Sequence, residues 1–103
     1  MQFVLNAYDG TDADAPARRQ QNRPAHISKM GELKQNGNFI FGGAILDDQG
    51  NMIGSTIIYD FPDRAAFDAY LKTDPYVTGK VWERVEVRPF RQAVIGVPSI
   101  PRG

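Results

Sequence analysis

The sequence contains no cysteine and only one histidine, His26. Without thiols the chain cannot form a disulfide, a thiolate nucleophile, a zinc finger or an iron–sulfur cluster. A metal site would have to be built mostly from carboxylates, and no cluster of them has ligand spacing. The run Asp9, Asp12 and Asp14 is irregular, and we interpret it as a solvated loop. We therefore predict neither a metal nor a cofactor.

The chain also carries no excess charge, because twelve basic residues balance twelve acidic ones. Affinity for nucleic acids and anionic membranes comes from clustered Lys and Arg, so this balance argues against both partners. No stretch approaches the roughly 20 apolar residues that span a bilayer. The N-terminus has no basic segment followed by an apolar run. These absences predict a cytoplasmic protein that binds neither nucleic acid nor membrane.

What is present is a domain-sized chain of 103 residues whose segments alternate between strand and helix patterns. Short apolar, β-branched runs indicate strands, and apolar residues at helical spacing indicate helices. The predicted strands are 2–8, 38–46, 53–61 and 81–90, and the predicted helices are 14–35 and 62–72. Pro24 interrupts the first helix, so we expect a kink or two helical pieces. The second strand is apolar almost throughout, which predicts burial on both faces.

The order β-α-β-β-α-β is typical of a ferredoxin-like α+β fold, with a four-stranded antiparallel sheet and two helices on one face. Two helices leave the other face of the sheet uncovered, and that face still carries apolar residues. The economical cover is a second copy of the chain, sheet against sheet, as in a dimeric α/β barrel. We expect a homodimer and leave assembly beyond the dimer open. The domain is predicted to span 1–91, and our hypothesis for the irregular tail, 92–103, is a dimer arm.

Five short segments carry a resemblance to a known family. They are RPAH at 23–26, a glycine-bearing strand ending at Gly42-Gly43, GSTII at 54–58, DPYV at 74–77 and VEVRPF at 85–90. In this order they resemble the YciI-like, or YCII-related, family over nearly the whole chain. The resemblance implies a dimeric ferredoxin-like fold and a site that contains His26 and Asp74, with Ser55 in its pocket. At least one family member removes chloride from a hydroxylated aromatic ring.

Two features depart from the family pattern. Gly42-Gly43 stands where the family often has Gly-Pro, so we expect a differently shaped pocket mouth, with Gly43 next to the ligand. The connection between the second and third strands is short, and we do not expect it to form a lid over the pocket.

His26 lies on the inward side of the first predicted helix. At about 100° per residue, it shares that side with Arg19, Met30 and Leu33. A lone histidine there is more often a packing residue than a functional one, and an arginine is more often solvated than bound to an anion. Two observations favour a functional His26: Arg19 lies on the same face of the helix, and the family resemblance places a histidine in the site.

Asp74 directly precedes Pro75 in the stretch DPYVTG. An aspartate cap followed by proline is typical of the start of a short helix, and such a cap contributes about 1 kcal/mol. The alternative, favoured by the resemblance, is a carboxylate that fixes the tautomer of His26 and stabilises its imidazolium. The two roles are compatible, since one oxygen can cap while the other pairs with His26.

Two functions compete for this site. The first is a small cofactor-independent enzyme of lyase or isomerase type, in which His26 and Asp74 transfer a proton on a small oxygenated substrate, with an aromatic ring as one option. The residues predicted to contact the substrate are Ser55, Arg19, Tyr76 and Gly43. The alternative is a non-catalytic dimer that binds a small molecule or another protein. A Ser-His-Asp hydrolase is poorly supported, because GSTII is a plain strand and not a nucleophile elbow.

Overall fold

The computed structural model describes residues 1–96 of the chain. Its elements follow the predicted order, and the last strand is preceded by the short helix that the Asp74-Pro75 sequence predicts. They are β1 (Gln2–Asp9), α1 (Ala15–Gln35), β2 (Phe39–Leu46), β3 (Met52–Asp60), α2 (Arg64–Leu71), α3 (Pro75–Thr78) and β4 (Trp82–Phe90). Residues 91–96 have no regular structure, and the rest of the predicted dimer arm, 97–103, lies outside the described residues.

The four strands form one antiparallel sheet in the order β2-β3-β1-β4, which is the predicted ferredoxin-like arrangement. Strands β1 and β3 are central, and alternate residues of each point towards the helices. The cross-strand pairs on this inner face are Phe3 with Tyr59, Leu5 with Ile57 and Ala7 with Ser55, and all six residues are buried. The inner face therefore changes from aromatic to small and polar along its length.

Helix α1 covers the inner face with the side that its sequence predicts. Arg19, His26, Met30 and Leu33 are all buried. The helix continues through Pro24 as one element, so the alternative of two helical pieces is not found. Pro24 is exposed, and water can satisfy the backbone carbonyl that loses its partner there. The polar residues of the buried side precede the apolar ones, which places His26 near the small, polar end of the sheet.

Helices α2 and α3 both begin at an aspartate cap. The side chain of Asp63 accepts a hydrogen bond from the N–H of Ala66, and that of Asp74 accepts one from the N–H of Tyr76, each at 2.8 Å. The prediction that Asp74 caps a short helix is confirmed. No helix in residues 1–96 is long and apolar enough to cross a membrane.

Strand β2 is not buried on both faces within one chain, contrary to the prediction. It is an edge strand that pairs only with β3, and Phe41 is 71% exposed. Its continuous apolar pattern arises because the face of the sheet opposite the helices is also apolar. On this open face, Phe41 pairs with Ile58 and Ile58 pairs with Val4.

Candidate functional site

The carboxylate of Asp74 is fully buried and has three hydrogen-bond partners. Its Oδ1 accepts from the backbone N–H of Tyr76 at 2.8 Å and lies 2.9 Å from Nδ1 of His26. Its Oδ2 accepts from the hydroxyl of Tyr70 at 2.5 Å. The same oxygen therefore caps α3 and pairs with His26, whereas the sequence interpretation assigned one oxygen to each role.

These partners decide which nitrogen of His26 carries a proton. An ionised carboxylate can only accept hydrogen bonds, so Nδ1 must be the donor in the pair with Asp74. In the neutral ring, Nε2 then has a free lone pair. His26 lines a cavity of about 260 Å³, and Nε2 is the ring nitrogen that is left for a ligand in it.

A second buried polar cluster centres on Arg19. Its Nη1 donates to both carboxylate oxygens of Asp9, at 2.8 and 2.9 Å, and its Nη2 donates to Oγ of Ser55 at 3.1 Å. The indole Nε1 of Trp82 donates to the same Oγ at 3.2 Å. Two donors occupy both lone pairs of the Ser55 hydroxyl, so its own O–H is left to donate. Ser55 also lines the 260 Å³ cavity, where that O–H can meet an acceptor.

The ring of Tyr76 lies between the two clusters. It stacks on His26, with centroids 3.9 Å apart and planes at 11°, and the guanidinium carbon of Arg19 lies 4.8 Å from its centroid. The indole of Trp82 meets the rings of both His26 and Tyr76 edge-on. Burial raises the pKa of the Tyr76 hydroxyl, and the nearby positive charges of Arg19 and Arg23 oppose this. The imidazole is therefore fixed by aromatic contacts as well as by its hydrogen bond.

Two further tyrosines border Asp74. Burial, and then the hydrogen bond to Asp74, raise the pKa of Tyr70, while burial and the charge of Asp74 raise the pKa of Tyr59. Both phenols therefore stay protonated at neutral pH. Tyr70 acts as a donor to the carboxylate, and the hydroxyl of Tyr59 has no hydrogen-bond partner in residues 1–96.

The 260 Å³ cavity has a polar end and an apolar wall. The apolar wall consists of Ile27, Met30, Phe39, Met52 and Ile57, with Gly42, Gly43 and Ala44 from the edge strand. A Cβ on Gly42 would lie 2.8 Å from the carbonyl oxygen of Thr56, whereas a Cβ on Gly43 would meet nothing within 4 Å. Gly42 is thus required by the close approach of β3, and Gly43 leaves the cavity mouth open. A larger cavity of about 560 Å³ adjoins this one, and the two share Arg19 and Met52 in their linings.

The structure brings the predicted site residues together. The cavity is lined by five of them: His26, Ser55, Arg19, Tyr76 and Gly43. Asp74 is not part of the lining and contacts Nδ1 of His26. The sequence interpretation missed Asp9, Tyr70 and Trp82.

The sequence interpretation placed Asp9 in a solvated loop, and this was wrong. Strand β1 continues through residue 9, and the Asp9 side chain is 6% exposed because it pairs with Arg19. The alternation of Phe3, Leu5 and Ala7 was the signal that could have found it, since residue 9 continues that inward series. Tyr70 also had a signal, because it precedes Asp74 by one helical turn. Trp82 had none, since its hydrogen bond depends on strand order.

Comparison with known proteins gives matches over nearly the whole chain. The YCII-related domain matches residues 1–91. Protein YciI of Escherichia coli O6:H1 (strain CFT073) is 34% identical over 98 residues, which cover 89% of this chain and 98% of that protein.

Two solved structures share the fold. The 5-chloro-2-hydroxyhydroquinone dehydrochlorinase TftG from Burkholderia phenoliruptrix AC1100, in complex with 2,5-dihydroxybenzoquinone, matches with a TM-score of 0.77 at 21% identity, over 90% of this chain and 96% of that one. A dimeric ferredoxin-like protein of unknown function from Jannaschia sp. CCS1 matches with a TM-score of 0.56 at 12% identity, over 88% of this chain and 98% of that one. At these identities the likeness is one of fold alone.

Proposed function

This chain belongs to the YCII-related domain family, and from that premise we propose that it is a small, cofactor-independent enzyme of lyase or isomerase type. The observation that carries the proposal is the buried pair of His26 and Asp74 at the wall of a cavity, with Nε2 left for a ligand. A positioned acid or base of this kind contributes roughly 10²–10⁴-fold to a rate.

In the proposed reaction, Nε2 of His26 removes a proton from an activated carbon or hydroxyl of the substrate. The carboxylate of Asp74 stabilises the imidazolium that results. The electron pair left on the substrate moves onto a substrate oxygen, which accepts a hydrogen bond from the hydroxyl of Ser55. The step ends when Nε2 returns the proton to another substrate atom, or when a leaving group departs with an electron pair and the imidazolium then releases its proton to water.

The proposed substrate is a single oxygenated ring. An apolar cavity of about 150 Å³ holds benzene, so a cavity of about 260 Å³ suits one ring with a few substituents. An apolar wall opposite a polar end favours a ring with oxygens on one side. The dehydrochlorinase that shares this fold acts on a hydroxylated, chlorinated ring, which supports the same substrate class.

We also propose that the enzyme is a homodimer that buries the open face of its sheet. Phe41, Ile58 and Val4 form adjacent cross-strand pairs there, and a comparable structure is described as a dimeric ferredoxin-like protein. In sedimentation experiments we expect a dimer for the wild type and a monomer for Phe41→Asp. A monomeric wild type would overturn this assembly.

The catalytic proposal is tested by proton exchange in D₂O. The substrates would be hydroxylated monocyclic aromatics and quinones, with 2,5-dihydroxybenzoquinone among them, and loss of the ring C–H signal would be followed by NMR. The variant is His26→Asn, because its amide N–H can replace Nδ1 as the donor to Asp74 while Nε2 is removed. The control is Lys34→Gln, at an exposed position of the same helix.

We expect exchange with the wild type and with Lys34→Gln, and at least a roughly 10²-fold loss in folded His26→Asn. Exchange that survives His26→Asn would exclude His26 as the base. Ligand binding without exchange by any of the compounds would favour the alternative, a non-catalytic small-molecule-binding dimer.

A further inference from the structure

We infer that Arg23 selects the substrate of this site, and that the substrate is a monocyclic ring with a carboxylate or another anionic group facing the cavity mouth. The inference rests on the proposed function and narrows its substrate class. It follows from three properties of the charged side chains at the cavity: which of them line it, which partners they have and how exposed they are.

The lining of the 260 Å³ cavity contains two arginines and no carboxylate. Of these arginines, Arg19 has its charge paired: Asp9 accepts from its Nη1 and Ser55 from its Nη2, while its buried Nε has no hydrogen-bond partner among residues 1–96. Asp74, behind His26, is likewise occupied by its three donors. The guanidinium of Arg23 has no ion pair and no hydrogen bond with any other residue in the described range 1–96. The cavity therefore presents one uncompensated positive charge.

The position of Arg23 in α1 places this charge at the mouth. Arg19 and Arg23 are four residues apart and so are neighbours on one side of the helix. Arg19 is buried and Arg23 is exposed, while His26, three residues further on, is buried again. Because Arg23 and His26 line the same cavity, a ring that reaches Nε2 of His26 occupies the space that Arg23 borders at its exposed side. Arg23 lies near the ring of Tyr76, where its charge and that of Arg19 oppose the rise that burial causes in the pKa of Tyr76.

The sequence predicts that Arg19 contacts the substrate, and our inference places the anionic group at Arg23, because the charge of Arg19 is already paired with Asp9. The charge of Arg19 is already balanced by the buried carboxylate of Asp9, and an anion that replaced Asp9 would leave that carboxylate buried without its partner. An anion at Arg23 displaces only water. Arginine also binds carboxylates through two parallel N–H groups, which orients a ring as well as attracting it.

The experiment compares two ligands of nearly the same shape, 4-hydroxybenzoate and its neutral analogue 4-hydroxybenzamide. Binding is followed by the shift of the His26 ring signals in NMR spectra, because the chain has one histidine and it lies at the cavity wall. The proteins are the wild type, Arg23→Gln and the control Lys34→Gln. Both variants lose one positive charge from α1, and only Arg23 lines the cavity.

We expect the wild type and Lys34→Gln to bind the benzoate more tightly than the benzamide, by roughly threefold to tenfold. Arg23→Gln should bind the two ligands equally and should bind the benzamide as the wild type does. Equal binding of both ligands by the wild type, binding of neither, or a preference that survives in Arg23→Gln would overturn the inference.

These outcomes are separate from those of the exchange experiment. The protein could show an anion preference that depends on Arg23 and no exchange that depends on His26. Arg23 would then determine the specificity of a binding site, and the catalytic proposal would be rejected. Exchange that depends on His26, without an anion preference, would support the catalytic proposal and reject the role of Arg23 in substrate selection.

Discussion

Two carboxylates are buried in the same site, and they differ in what they face. Asp9 faces Arg19, whose guanidinium stays charged throughout the pH range of proteins. Asp74 faces His26, whose imidazole, unlike a guanidinium, is a group that can serve as a proton acceptor or donor in a reaction. Both contacts are ion-pair geometries of 2.8–2.9 Å between side chains that are at most 6% exposed. Distance and burial therefore do not distinguish the two pairs, whereas the chemistry of the basic partner does.

This difference indicates separate roles. A permanent ion pair cannot take up a proton, but it can hold Arg19 in the orientation that donates to Ser55. A pair with a titratable member can change its charge during a reaction while the carboxylate stays ionised. In the proposed enzyme the first pair therefore positions groups, and the second transfers the proton.

The largest effect is expected from Asp9→Asn, which leaves the guanidinium of Arg19 buried without a counter-charge. Removing one partner of a buried ion pair costs roughly 3–5 kcal/mol. Urea unfolding of the variant, followed by the fluorescence of the single tryptophan, Trp82, would measure this loss.

The double variant Asp9→Asn with Arg19→Met sharpens the result. Because it removes the charge that Asp9→Asn leaves unpaired, we expect it to regain about half or more of the lost stability. A double variant as unstable as the sum of its single changes would show that the pair is not what stabilises this region.

A smaller effect is expected from Asp74→Asn. The asparagine Oδ1 can still accept from the N–H of Tyr76 and from Nδ1 of His26, and the imidazole can discard its charge, unlike the guanidinium of Arg19. We expect a loss of about 1–2 kcal/mol in the free energy of unfolding. A loss as large as that of Asp9→Asn would contradict the distinction between the two pairs.

The same variant changes the ring of His26 in a way that NMR can detect. In the wild type the ionised carboxylate requires the proton on Nδ1, and ¹⁵N shifts of the ring should show this single form. In Asp74→Asn the neutral Oδ1 is a weaker acceptor than the carboxylate, so we expect the form with the proton on Nε2 to appear beside the Nδ1 form, with slower exchange of substrate protons. A wild-type ring with its proton on Nε2 would be incompatible with the proposed base.

The smallest effect at neutral pH is expected from Tyr70→Phe, which removes one hydrogen bond to Asp74 and costs about 1 kcal/mol. The variant should differ more clearly from the wild type in how its stability changes at alkaline pH. Because burial raises the pKa of Tyr70 in the folded protein, the unfolded chain releases this proton first. The contribution of Tyr70 is therefore complete below about pH 10 and is lost as the pH rises further.

We accordingly expect the stability of the wild type to fall more steeply above about pH 10 than that of Tyr70→Phe. Urea unfolding of both proteins at a series of alkaline pH values checks this. Parallel curves would mean that the Tyr70 phenol ionises as readily in the folded protein as in the unfolded one.

Local patterns in the sequence predicted much of this site. The helical spacing of Arg19, His26, Met30 and Leu33 gave the buried side of α1, and the order Asp74-Pro75 gave the cap of α3. Each pattern rests on a short-range rule of backbone geometry, which the sequence contains in full.

The errors arose where long-range pairing decides the outcome. The apolar run of β2 does not reveal that this strand lies at a sheet edge, because strand order is a property of the whole sheet. Asp9 meets Arg19 of α1, and Trp82 of β4 meets Ser55 of β3 across β1, so both contacts depend on tertiary packing. The sequence shows that residue 19 is an arginine and therefore positively charged, but it does not show that Asp9 forms an ion pair with it.

Helix α3 is a single turn, and it supplies both the carboxylate of Asp74 and the ring that stacks on His26. Its contacts join positions 48 residues apart in the chain, so the site exists only when α1 and α3 are packed together. One turn can also detach while the sheet remains intact. We therefore expect the working lifetime of the site to depend on how often α3 opens, which the hydrogen-exchange rate of the Tyr76 amide would report.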